Sequence, residues 1–299
     1  SFSDSAATFP LEIDVDGTRT TTQARVRVSV ARWLAKRYAS NKEVVANLAR
    51  VLEIELLESR PDDTTGSEQD QRERLAQLYE EAGVFESALP HRVALFLIEP
   101  SNEAYLRALE QVSARLDRPA TYADALEQAA ALDIGIDLHA RYLILACTTY
   151  AALGSERATE LGLRVARNTE VAPAQRLEAC ILVEPLLAPD GDSEVLLELL
   201  ELDASLEQDT PRRLEVLSKA ALLAEQREEW PRAAESWELR LRAQSLDGEA
   251  LEHLAPLYER MERAADLVRV LELRLSLPLG DSAAQRRDRS HRRTSTCAA

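Results

Sequence analysis

Leu254-Ala255-Pro256-Leu257-Tyr258-Glu259 repeats Leu75-Ala76-Gln77-Leu78-Tyr79-Glu80 at five of six positions. A second match is complete: Glu238-Leu239-Arg240-Leu241 returns as Glu272-Leu273-Arg274-Leu275, 34 residues further on. At the same offset Leu217 meets Leu251, Ala221 meets Ala255 and Glu225 meets Glu259. Self-similarity at a fixed period of this size marks one supersecondary unit stacked repeatedly along the chain. Leucine and alanine at helical spacing make that unit a pair of helices.

Composition agrees. The chain has 299 residues, 45% of them hydrophobic, but only 9 glycines and 5% aromatics. That is apolar enough to build a core. It is rich in Ala, Leu, Glu and Arg, the strong helix formers, and poor in the residues of strands or Gly-rich nucleotide loops. Apolar residues recur at helical spacing through Val44-Leu48-Val51-Leu52 and Leu196-Leu199-Leu200. Thr210 reads as an N-cap followed by the first-turn proline Pro211, Trp230-Pro231 repeats that proline placement, and Asp192 or Ser193 serves as a cap after Pro189-Asp190-Gly191. These periods and breaks predict about fourteen helices, hence about seven antiparallel pairs.

With its small and aromatic residues at fixed places, the chain resembles the tetratricopeptide (TPR) family. The residues that carry the resemblance are Leu75, Ala76, Tyr79, Gly83, Ala88 and Pro100 in one unit. Ala221, Trp230, Ala233 and Ala234 carry it in the next-to-last unit, and Leu254, Ala255 and Tyr258 in the last. The resemblance implies an all-α solenoid, a right-handed superhelix of antiparallel helix pairs. There are departures. Pro256 lies inside a helix, and Glu262 stands where the first unit has Gly83. Leu75 and Leu254 are 179 residues apart, not a multiple of 34, so the middle units carry insertions. The stretch 103–210 is helical but matches the pattern weakly.

The expected organisation is an extended or disordered lead-in over 1–21, a first helical pair over 22–58, and a loop over 59–72. A TPR-like array follows over 73–279, and a basic disordered tail over 280–299. The loop is Ser59 to Asp70, SRPDDTTGSEQD, which lacks periodicity and is dense in breakers. The lead-in admits two readings. Phe9, Leu11, Ile13 and Val15 alternate with polar residues before Asp16-Gly17, and Val26, Val28 and Val30 alternate again, which is a hairpin signature. The preferred reading is a helix from about Thr22, because Trp33, Leu34 and Tyr38 continue a helical period.

Charge narrows the function. The chain carries 52 acidic against 36 basic residues, a net charge of −16. Such a body repels a phosphate backbone, so no nucleic acid is expected on the array. The tail holds Arg286, Arg287, Arg289, Arg292 and Arg293 against Asp281 and Asp288, which makes it +3 and leaves −19 on residues 1–279. Cys147, Cys180 and Cys297 form neither a disulfide framework nor a metal-ligand spacing, which fits a reducing, cytoplasmic setting. No membrane span or signal peptide is read, although Ser1 in place of Met allows a removed leader or a piece of a longer chain. The preponderance of Arg over the three lysines, Lys36, Lys42 and Lys219, suggests a GC-rich bacterial genome.

Catalytic signals are missing. His91, His139, His253 and His291 are scattered, and no HExxH, GxSxG, Walker A or GxGxxG string occurs. Glu12-x-Asp14-x-Asp16-Gly17 imitates the start of an EF-hand loop, but Gln23 at the twelfth place cannot supply the bidentate carboxylate. No enzyme, cofactor or metal is expected. The resemblance implies a binding groove lined by exposed positions of each pair's first helix. Here these are Glu215, Ser218, Leu222 and Glu225, then Glu249, Glu252, Pro256 and Glu259. Five of the eight are glutamate, so the expected partner is a protein or peptide with a basic or apolar segment. The main reading is a non-enzymatic interaction scaffold. Its alternative is a regulatory or sensory segment of a larger multidomain protein, in signalling or transcription.

Overall fold

The computed structural model describes residues 6–15, 18–27, 46–47, 49–50, 68–187 and 193–277. They fall into two compact units, residues 1–153 and 154–299.

The first unit opens with a hairpin. Strands β1 (Ala6–Val15) and β2 (Thr18–Arg27) pair antiparallel, with Val15 opposite Thr18 and Ala6 opposite Arg27. This corrects the preferred reading of a helix from Thr22: β2 runs five residues past that point. Its sequence, TRTTTQARVR, is rich in threonine, whose β-branched side chain is stiff at χ1 and favours the pleated backbone. Most of the predicted first helical pair lies outside the described residues. Residues 46, 47, 49 and 50 are helical, and Ala49 is fully buried in a cluster with Leu75, Leu78 and Tyr79.

The rest of this unit is α1 (Glu68–Ala82), α2 (Phe85–Ile98), α3 (Glu103–Arg115), α4 (Pro119–Ala130) and α5 (Ile136–Ala152). Helix α1 begins inside the stretch expected to be a loop to residue 72. Glu68 and Asp70 explain why: acidic side chains favour the positive end of the helix dipole, and Glu68 is 2.7 Å from Arg72 one turn on.

The second unit holds α6 (Arg157–Arg167), α7 (Pro173–Val183), α8 (Ser193–Leu206), α9 (Thr210–Gln226), α10 (Trp230–Ala243), α11 (Gly248–Arg260) and α12 (Ala264–Leu275). Short connections make consecutive helices antiparallel neighbours. Asp209, not Thr210, caps α9, accepting from the Arg212 amide at 3.4 Å, and Asp247 caps α11, accepting from the Ala250 amide at 2.9 Å. The core of this unit is alanine-rich: Ala220, Ala221, Ala224, Ala233, Ala234 and Ala250 are buried around Trp237, Leu251, Leu254 and Tyr258.

The repeat is now explicit. Second helices begin at residues 85, 119, 157, 193, 230 and 264, at intervals of 34, 38, 36, 37 and 34. The surplus over strict periodicity falls entirely in the middle pairs, where the sequence matches weakly. Just before most of these helices lies one left-handed residue: Gly83 (φ 79°), Asp117 (φ 53°), Gly154 (φ 67°), Glu228 (φ 61°) and Glu262 (φ 57°). Glu262 therefore adopts the backbone of Gly83. In four of the five the next amide closes the preceding helix: Val84 to the Tyr79 carbonyl (2.8 Å), Arg118 to Ser113 (2.9 Å), Glu229 to Ala224 (2.9 Å) and Arg263 to Tyr258 (2.9 Å). This is the Schellman pattern, which glycine occupies without strain.

Two substitutions at equivalent turns should move stability in opposite directions. Gly83→Ala is expected to cost about 1 kcal/mol, whereas Glu262→Gly should gain several tenths, because only the second removes a left-handed side chain. Urea unfolding of both variants checks this, and equal signs would refute the shared-turn account.

Candidate partner-binding groove

The side chains expected to line a groove come from α9 and α11. The structure brings only part of them to an open surface. Leu222 (39% exposed), Glu225 and Pro256 line one concavity of about 360 Å³ with Gln226, Trp230, His253, Leu257 and Arg260. Leu222 and Gln226 also border a second, more apolar concavity of about 610 Å³, walled by Pro185, Leu187, Leu196, Leu200 and Leu223, with Glu184 and Lys219 at its edge. An exposed leucine thus stands between two adjoining hollows.

Other expected groove residues are taken up internally. Arg240, on α10, donates from Nε to Asp247 Oδ2 (3.0 Å) and from Nη1 to the Leu214 carbonyl (3.2 Å), and it also contacts Ser218 Oγ. Its Nη2 lies 2.9 Å from Glu249. One guanidinium therefore ties α9 and α10 to the start of α11, and it engages Ser218 and Glu249 in doing so. Glu215 is exposed and 3.3 Å from Lys219, which also reaches Glu184 at 2.8 Å. Glu252 and Glu259 are exposed on α11.

Glu225 is a structural carboxylate. Trp237 Nε1 donates to its Oε1 at 2.7 Å, and His253 Nδ1 lies 2.9 Å from the same oxygen. The Trp237 and His253 rings stack, with centroids 4.4 Å apart and planes 16° from parallel, and Trp237 is fully buried. Burial opposes ionisation of Glu225, but the hydrogen bonds from His253 and Trp237, with Arg260 nearby, outweigh it and hold the carboxyl below its ordinary value.

Cationic side chains absent from the expected set complete the picture. Arg260 lies over the Trp230 ring at 4.7 Å and forms one wall of the smaller concavity. Arg232 is bidentate to Glu201 (2.9 and 2.8 Å) and bridges to Glu194 and Glu229, joining α8 to α10. Arg227 reinforces that joint through Glu194 and Glu229. The sequence signal for Arg240 was its place in the repeated Glu-Leu-Arg-Leu. Nothing local marks the others.

The histidines within the described residues are structural in their contacts. His91 is buried and stacks on Tyr79, with centroids 5.9 Å apart. His139 Nδ1 is 2.6 Å from the Ala130 carbonyl. Among the described residues no group of three or more His, Cys, Asp or Glu could hold a metal ion, and no helix is long and apolar enough to cross a membrane.

No family model matches the chain, and no curated protein does. Among solved structures it is similar to YrrB, described as a TPR protein with an unusual peptide-binding site (14% identity, 69% of this chain and 98% of that one, TM-score 0.32). It is also similar to the MamA protein (12% identity, 70% and 90%, TM-score 0.25). A third likeness is to a chain of Naa15/Naa10 bound to HypK-THB (16% identity, 91% and 40%, TM-score 0.39). In its own right the chain is a run of antiparallel helix pairs with a recurring spacing and a shared turn.

The pH dependence of Glu225 can be tested with Glu225→Gln. A carboxyl held low in the folded state adds stability above the unfolded carboxyl range, and loses it as pH falls through its folded value. The parent should exceed the variant by about 1–3 kcal/mol at neutral pH. That margin should shrink steadily below about pH 4.3. Denaturant midpoints measured across pH check both, and a pH-independent margin would remove the charge from the account.

Proposed function

We propose that this chain is a non-enzymatic interaction scaffold that takes a segment of a partner protein along the face between α9 and α11. The observation that carries this reading is Leu222, exposed between two adjoining hollows on the first-helix side of the second unit. One exposed leucine is ordinary on a protein surface; what supports the reading is the contiguous apolar lining it joins, Pro185, Leu187, Leu196, Leu200 and Leu223 on one side and Trp230, Pro256 and Leu257 on the other. The hollows suit aliphatic or aromatic side chains. Glu259, which has no cation partner among the described residues, suits a basic side chain beside them. The partner segment therefore combines an apolar anchor with a positive neighbour.

Helix pairs that contact chiefly their sequence neighbours leave the inner and outer faces open, which is the physical basis of binding surfaces in repeat proteins. Much of the charge of the unit supports the fold: Glu225, Glu249, Asp247 and Glu201 serve intramolecular bonds. Affinity is thus expected from the apolar hollows, with carboxylates at their edge setting register and salt dependence.

A fluorescent synthetic peptide of repeated Leu-Arg pairs tests the reading. It should bind with an affinity that falls as salt rises. Leu222→Ser should weaken binding about five- to tenfold through lost apolar contact, with only a small fall in the unfolding midpoint. Glu259→Gln should flatten the salt dependence. Undiminished binding to the Leu222→Ser protein would place the partner elsewhere.

A further inference from the structure

The second helices of the pairs share one repeating face, and on α12 it is open. Four, seven and eleven residues after the first, α4 carries Ala123, Leu126 and Ala130, and α10 carries Ala234, Trp237 and Leu241. All six are buried, as are their equivalents on α2 and α8. On α10 the cover comes from α11: Trp237 stacks on His253, and Leu241 shares a core with Leu251 and Leu254. On α12 the same places hold Val268, Leu271 and Leu275, which are 54%, 43% and 88% exposed. Ala264, one turn before Val268, is exposed too. These four make an apolar stripe separate from Leu267, Val270 and Leu273, which pack on the core of the unit. A helical stack ordinarily ends on a polar outer face, whereas α12 keeps the face of an interior repeat.

The chain after α12 does not carry the cover that α11 gives to α10. At the 34-residue offset, Leu251, Leu254 and Tyr258 correspond to Gln285, Asp288 and Arg292. Residues 278–299 hold one large aliphatic side chain, Leu279. The stripe is instead matched to itself. Laid antiparallel on a second copy, Leu275 meets Ala264 and Val268 meets Leu271, so large stands against small at both ends of a two-fold contact. In that register Glu272 falls opposite Ala265. Arg274 falls opposite Arg263, whose charge Asp266 offsets at 2.7 Å.

We propose that α12 pairs antiparallel with α12 of a second copy of this chain, through Ala264, Val268, Leu271 and Leu275. The contact is short, so the dimer is reversible, with a dissociation constant on the order of 10–100 µM. A net charge of −16 on each copy opposes association, so added salt strengthens it. None of the four side chains lines the hollows beside Leu222, so both copies keep that face.

Sedimentation equilibrium of the full chain from about 1 to about 500 µM tests the pairing. The mass should climb from the monomer's towards twice that value, and further at about 0.5 M than at about 0.05 M salt. A mass that stays at the monomer's, or climbs past the dimer's, overturns the proposal. Leu271→Glu alters a side chain already exposed in the monomer, so it should leave the circular dichroism spectrum unchanged and keep the chain monomeric throughout. Dimers of that variant overturn the assignment to α12. Register is read by disulfide formation on a Cys297→Ser background, where Cys147 and Cys180 are buried. Oxidation of mixed Ala264→Cys and Leu275→Cys chains should join the two kinds at least about fivefold more than either to itself. Equal joining, or Leu275→Cys joined chiefly to itself, overturns the antiparallel arrangement.

Discussion

Close approach of paired helices over buried alanines is the constraint on which the rest depends. Interaxial distance follows the size of the side chains at the crossing. Ala76 and Ala88 in the first unit, and Ala221, Ala233, Ala234 and Ala255 in the second, keep that distance small. Tightly packed helices need a tight turn, and the left-handed residue before most of the second helices supplies it. The turn closes through backbone hydrogen bonds that any residue can make. Asp117, Glu228 and Glu262 therefore occupy it despite the cost of a left-handed side chain.

Much of this was legible in the sequence, for a physical reason. Helix packing repeats the same contacts, so Leu217 and Leu251, or Ala221 and Ala255, recur at a fixed offset and are all buried. The 179-residue interval between Leu75 and Leu254 resolves into extra residues in the middle pairs, where turns and helix lengths vary. The hairpin was harder to read. Its alternation is short, and the helical period after residue 30 competes with it. The groove was legible only in part. Position within a helix places Leu222, Pro256 and Glu259 on a surface, but whether a glutamate there is available depends on cations far off in sequence. Arg240 reaches back to Ser218 and forward to Glu249; His253 reaches back to Glu225.

The formal charge of the proposed groove consequently overstates the pull it would exert on a partner. Glu225, Glu249 and Glu215 each have an internal counter-group, so the unit uses much of its acidity to register one helix pair against the next. Such networks cost desolvation and yield specificity of packing more than net stability. Glu259 keeps an exposed carboxylate with no cation partner among the described residues, beside a hollow lined by leucine, proline and tryptophan.

The two Glu-Leu-Arg-Leu tetrads have unequal surroundings. Leu241 is 8% exposed, whereas its counterpart Leu275 is 88% exposed, and Val270 alone is fully buried on α12. In a stack held by nearest-neighbour contacts, amide exchange protection rises with the number of covered faces. Protection within the second unit should thus descend from α10 towards α12, and α12 melts at lower free energy than the pair it completes.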